Sequence, residues 1–88
     1  MKIKDIEYSS HFERAFRKLP KEIQIKAVKQ EYSFREDCFN PKLKTHKLKG
    51  DLEGLWAFSI DYSYRILFRF VGKNTVEFDN AGRHSIYQ

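Results

Sequence analysis

The constraint that most limits how this chain folds is the alternation within residues 45–70, THKLKGDLEGLWAFSIDYSYRILFRF. Lys47, Lys49, Gly50 and Gly54 make its first part basic and turn-forming. Trp56, Phe58 and Ile60 then fall on one side of an extended strand, with Leu55, Ala57, Ser59 and Asp61 on the other. A polar break at Asp61-Tyr62-Ser63 precedes a second run, in which Ile66, Phe68 and Phe70 alternate with Arg65, Leu67 and Arg69. A period of two on both sides of a break predicts an antiparallel hairpin with one strongly apolar face. The opposite face carries two arginines, which are costly inside a sheet unless they meet water, a partner or an anion. One face therefore builds a core, and the other is open to a ligand.

The residues before the hairpin read as one short strand and two helices. Residues 2–8 suggest a strand, stopped by Ser9 and Ser10. Ser10-His11-Phe12-Glu13 reads as a capping box that opens a helix. Phe12, Ala15, Phe16 and Leu19 form its apolar stripe, with Arg14, Arg17 and Lys18 facing water. Pro20 ends this helix and suits the start of the next, which runs from Lys21 to about Phe34. There Ile23, Ala27 and Phe34 share one side, with Ile25, Val28 and Tyr32 adjoining, a stripe broad enough for a helix partner and a sheet. Asn40-Pro41 ends helical continuation. A short strand near His46 to Lys49 precedes the hairpin, and Gly72-Lys73-Asn74 turns into a last strand, Thr75 to Phe78, ahead of a polar tail. The expected fold is α+β: an N-terminal strand, a two-helix hairpin, then three or four antiparallel strands with the helices on one sheet face. With 88 residues and no repeat, residues 1–88 are expected to form one domain.

Composition narrows the functional classes. A single cysteine, Cys38, excludes an internal disulfide framework and a cysteine-rich zinc site, and reads as a loop or buried thiol. No apolar run spans a membrane, and the charged start Met1-Lys-Ile-Lys-Asp carries no signal-peptide pattern, so a cytoplasmic protein is expected. The formal net charge of +5 favours anionic partners, nucleic acid or an acidic protein segment. The excess is uneven: Lys42, Lys44, Lys47 and Lys49 crowd ahead of the hairpin. A solvated basic loop and an RNA contact are equally good readings of that run.

No phosphate-cradling glycine loop, zinc spacing, paired cysteines or nucleophile elbow is present, and neither metal nor cofactor is expected. What remains is a scattered set: His46 with Lys44, Lys47 and Lys49; Arg65 with Arg69; and Arg83, His84 and Tyr87. Antiparallel pairing offers a way to gather these on one sheet face. RNA cleavage without a metal needs a base for the 2′-hydroxyl, a cation for the pentavalent phosphate and an acid for the leaving 5′-oxygen. Imidazole and guanidinium suit those tasks near neutral pH. The plainer alternative is a loop histidine at 46 and a tail histidine at 84.

In order and spacing, Leu43-Lys-Thr-His-Lys-Leu-Lys-Gly50, Gly54-Leu-Trp56-Ala-Phe-Ser-Ile, Tyr64-Arg-Ile-Leu-Phe68 and Ala81-Gly-Arg-His-Ser-Ile-Tyr87 resemble the RelE/ParE toxin superfamily, and within it the RelE, YoeB and YafQ type. The resemblance extends to the helical hairpin around Leu19-Pro20. It implies the toxin of a type II toxin–antitoxin system, a metal-independent mRNA endonuclease acting in the ribosomal A site, blocked by a cognate antitoxin. Under it, His46 stands where relatives place a proposed general base, Arg65 where they place the phosphate-stabilising arginine, and His84 where they place the proposed general acid. Tyr87 matches a terminal aromatic that orients substrate. Arg83 matches a second phosphate-binding arginine, where many relatives have threonine. Lys44, Lys47 and Lys49 stand with the basic residues that grip RNA backbone. Ser59 and Ser63 replace a histidine and an aspartate of the YafQ type, so that type's full constellation is missing. Asp61 and Asp79 have no counterpart and read as structural. A ParE-like gyrase poison and an inactive binding module of the same fold remain as alternatives; the set His46, Arg65 and His84 argues against the gyrase poison.

Overall fold

The computed structural model describes residues 1–87, the side chain of Tyr87 excepted. Its strands are β1 (Asp5–Tyr8), β2 (His46–Lys47), β3 (Trp56–Ser59), β4 (Tyr64–Gly72) and β5 (Thr75–Arg83). Helices α1 (Ser10–Arg17) and α2 (Lys21–Glu36) lie between β1 and β2, and short 3-10 turns cover Pro41–Leu43, Gly50–Leu52 and His84–Tyr87. The strands form one sheet in the order β1-β5-β4-β3-β2, with β1 parallel to β5 and every other pair antiparallel. The fold is α+β with both helices on one sheet face, as the alternation and the helical stripes predict. Among the described residues no helix is long and apolar enough to cross a membrane.

The core forms where α2 meets the apolar side of the hairpin. Phe34 stacks on Phe58 at 4.5 Å between centroids and meets Phe68 and Phe78 edge-on at 4.9 and 5.5 Å. All four rings are fully buried. Offset and edge-to-face contacts add to area burial, so one helical side chain holds three strands. Phe12 carries the same role for α1 against Phe78, at 5.3 Å, while Phe16 is only half-buried. Cys38 is buried beside this core, and burial pushes its thiol up.

Four local expectations change. First, the cap of α1 is Ser9, whose hydroxyl accepts from the Phe12 N–H at 2.9 Å; Ser10 is already helical. Ser9 is fixed there because its N–H donates to the Phe78 carbonyl and its hydroxyl to that of Asp79. Second, Pro20 sits one residue before α2 as its N-cap, and α2 runs on to Glu36. Third, Ile25, Val28 and Tyr32 are exposed. The reason is length: α1 has 8 residues against 16 in α2, and it packs mainly on β5, leaving that flank of α2 uncovered. Fourth, β5 continues past Phe78 to Arg83. A register shift opposite Leu67 and Phe68 takes up Asp79, after which Asn80, Ala81, Gly82 and Arg83 pair with Leu67, Ile66, Arg65 and Tyr64. The bulge breaks the alternation that marks a strand in sequence.

Truncating Phe68 to alanine empties the centre of this cluster. It is expected to cost about 3–5 kcal/mol, whereas Tyr32→Ala on the uncovered flank costs under about 1 kcal/mol. Thermal unfolding of the two variants beside the parent checks both values, and comparable losses would mean that the core is misplaced.

Candidate active site

Strand pairing decides which side chains share a face. His46, Ala57 and Leu67 form one row across β2, β3 and β4, and Ser59, Arg65 and Gly82 form another across β3, β4 and β5. Both rows lie on the face away from the helices, because the intervening row of Phe58, Ile66 and Ala81 is buried in the core. His46 and Arg65 therefore project from the same face. Strands about 4.8 Å apart and same-face residues about 7 Å apart put their Cα atoms on the order of 12 Å from each other.

Arg65 is held by the turn between β3 and β4. Its Nη1 donates to the carbonyls of Asp61, Tyr62 and Tyr64 at 2.7, 3.0 and 3.0 Å. These bonds orient the guanidinium without neutralising it, and no carboxylate pairs with it among the described residues. The turn itself is built by Asp61, whose carboxylate accepts from the Ser63 and Tyr64 N–H groups, both at 2.9 Å, and lies 3.5 Å from the Lys26 ammonium of α2. Burial pushes the Asp61 carboxyl up. The two N–H donors and Lys26 outweigh it and hold the group below the usual carboxylate range.

Two clefts meet at Arg65. One is lined by Tyr62, Ser63, Arg65, Arg83, His84 and Ser85. The other is lined by Gln30, Lys42, Lys44, Ser59, Asp61, Tyr62 and Arg65. His84 is positioned by its own N–H, which donates to the Ser63 carbonyl at 3.0 Å. The turn it opens folds back over Gly82 so closely that a Cβ there would lie 2.6 Å from Ile86 Cγ2. His46 stands outside both clefts, on β2. Its Nδ1 donates to the Lys44 carbonyl at 2.9 Å, which in the neutral ring leaves the lone pair on Nε2.

The fold thus brings Arg65, Arg83 and His84 around one cleft, and Arg65 and Lys44 around the next, with His46 on the same face. Other members of the basic set part from them. Lys47 lies on the helix side, with its ammonium 5.6 Å from the Trp56 ring centre. Lys49 is exposed at the start of the Gly50–Leu52 turn. Arg69 shares the Arg65 face but is paired with Glu77 and Asp79 at 3.5 and 3.6 Å, so Asp79 serves as its counter-ion. The side chain of Tyr87 lies outside the described residues. Two further residues join the clefts: Lys42, visible in sequence only as part of a charge run, and Tyr62, an aromatic ring 86% exposed at the point where the clefts meet. A large exposed aromatic in a tight polar turn is the signal that marks Tyr62.

By sequence, the chain matches no family model and no curated protein. By fold it matches solved toxins. A YoeB/ParE toxin from Agrobacterium tumefaciens superposes with a TM-score of 0.75 at 18% identity, covering 92% of this chain and 99% of that one. YafQ from E. coli gives 0.75 at 17% identity, over 94% and 96%. The toxin–antitoxin complex RelBE2 from Mycobacterium tuberculosis gives 0.73 at 20% identity, over 91% and 96%. The fold is that of the RelE, YoeB and YafQ type of toxin.

Asp61 gives the site a pH signature. Its carboxyl is lowered in the folded state, so its stabilisation is present above the unfolded value near about 3.9 and is lost as pH falls through the lowered one. Asp61→Ala is expected to cost about 1–3 kcal/mol at pH 7, with the gap to the parent closing on acidification below about pH 4. Urea unfolding across pH measures it; a gap independent of pH would contradict the role assigned to the carboxylate.

Proposed function

We propose that the chain is the toxin of a type II toxin–antitoxin system, an endoribonuclease that cleaves mRNA in the ribosomal A site without a metal. The observation that carries this reading is Arg65: a guanidinium fixed by three backbone carbonyls, unpaired with any carboxylate among the described residues, beside His84 and on the same face as His46. The likeness of fold to YafQ and to the toxin of a RelBE2 complex supports it. The step is a transesterification. His46 takes the proton of the 2′-hydroxyl, whose oxygen attacks the adjacent phosphorus. Arg65 stabilises the pentavalent phosphate, with Arg83 and Lys44 along the strand, and Lys47 and Lys49 further out on the backbone. The bond to the 5′-oxygen breaks as His84 delivers a proton to it. A 2′,3′-cyclic phosphate and a 5′-hydroxyl result. Tyr62 offers a flat ring on which a base stacks, and Tyr87 orients the substrate. The site of action is cytoplasmic, and a cognate antitoxin with an acidic or amphipathic segment inhibits by covering Arg65 or moving residues 83–88.

Cleavage of a translated mRNA, run beside a gyrase supercoiling assay, tests this reading. His46→Ala and His84→Ala are each expected to slow cleavage by about 10²–10⁴-fold with little effect on binding. Arg65→Ala is at least as damaging, and Arg65→Lys restores little, because an ammonium does not replace a planar fork. Chelating free divalent ions while leaving ribosomes intact leaves the rate unchanged. Gyrase inhibition without cleavage would establish the ParE-like alternative, and neither activity would establish an inactive module.

A further inference from the structure

A second basic surface lies on the helix side of the sheet, between α1 and the end of β5. His11, Arg14 and Lys18 follow one another at steps of three and four residues, so they form one ridge along α1. With Tyr64 and Arg83 they line a groove. Arg83 reaches it because it pairs with Tyr64 on the side of the sheet that also carries buried Ile66 and Ala81. There its guanidinium lies 5.3 Å from the Tyr64 ring centre, and its Nη1 donates to the Tyr64 hydroxyl at 3.3 Å.

Among the described residues, the lining of this groove holds cations and no carboxylate. Lys2, Lys26, Arg35 and Arg69 each have a carboxylate partner. Arg14, Lys18 and Arg83 have none among the described residues. The helix dipole accounts for bases in the last turn of α1, but not for His11 in its first turn or for Arg83 from another element. Arg83 also lines the cleft of Arg65 and His84, so groove and cleft are joined through one side chain. The ridge from His11 to Lys18 is about 10 Å long.

We propose that the α1–β5 groove binds the phosphate backbone of RNA as a second site, continuous with the cleft at Arg65 and His84. Guanidinium forks and an ammonium meet the phosphates, and Arg83 is the shared contact. Only the continuity with the cleft rests on the nuclease reading; the anion-binding groove stands on its own geometry. The RNA is the message or ribosomal RNA, and both present the same phosphates.

Binding of the intact protein to a short single-stranded RNA methylated at every 2′-oxygen tests this, because such RNA binds without being cut. Arg14→Gln combined with Lys18→Gln is expected to lower the salt slope by about 1.4 and to weaken binding about 25-fold at 0.1 M salt. Arg14→Lys keeps the slope. Lys2→Gln with Lys4→Gln, beside Asn74 at the opposite end of β5, changes neither quantity. The same variants on vacant ribosomes separate the sources: loss on the free strand assigns the groove to a single strand such as the message, and loss on ribosomes alone assigns it to ribosomal RNA. Unchanged slope and affinity on both, or equal loss in the Lys2 and Lys4 variant, overturns the proposal. So does polyglutamate of equal charge that displaces the strand as well as RNA does, which would point to an acidic peptide. Groove-dependent slopes in a protein that cuts no translated mRNA would sink the nuclease reading and leave the groove standing.

Discussion

Phe34 is the contact on which the rest depends. Its ring reaches from α2 to Phe58 on β3, Phe68 on β4 and Phe78 on β5, so it holds together the strands that carry or flank Arg65. With α2 seated, its polar residues fall in register with the sheet's rim. Gln30 donates to the Ser59 carbonyl at 3.0 Å, and Lys26 meets Asp61. Asp61 then shapes the turn whose carbonyls hold Arg65. The chain of cause runs from an aromatic wedge to a helix position, to a turn, to one oriented guanidinium.

The treatment of charge separates structural arginines from the candidate functional ones. Arg35 and Arg69 end on carboxylates of Glu31, Glu77 and Asp79. Such half-exposed pairs contribute little stability, but they remove those cations from competition for an anion. Arg65 is fixed by carbonyl dipoles and Arg83 by an aromatic ring and a hydroxyl, arrangements that orient a guanidinium and keep its charge. A phosphate approaching this end of the sheet meets cations already in place, with little side-chain entropy left to lose.

Much of this was legible in sequence, because a period of two with large apolar residues admits few solutions. The hairpin and the apolar face carrying Phe58 and Phe68 follow from it, and the helical pair follows from apolar stripes at helical spacing around Leu19-Pro20. What escaped has specific causes. A bulge at Asp79 hid the second half of β5, and with it the side on which Arg83 emerges. Ser9 and Ser10 are equivalent caps until the pairing with β5 selects one. The exposed flank of Ile25, Val28 and Tyr32 depends on the length and placement of α1, which periodicity does not encode. The strand at His46 was expected, but only its pairing with β3 shows which side each residue takes, and alternation then parts Lys47 from His46. The grouping of His11, Arg14 and Lys18 with Arg83 is tertiary, and only the helical spacing of the first three was visible.

In the proposed reaction, this face supplies an acid, a base and a phosphate cation to a nucleophile that belongs to the RNA. This is tested most directly by replacing the single 2′-hydroxyl at the scissile bond with hydrogen, in an mRNA presented in the ribosomal A site. Cleavage at that bond is expected to be abolished while the protein still binds the ribosome. Cleavage at the same bond in the deoxy substrate would show that water is the nucleophile, and would contradict the role assigned to His46.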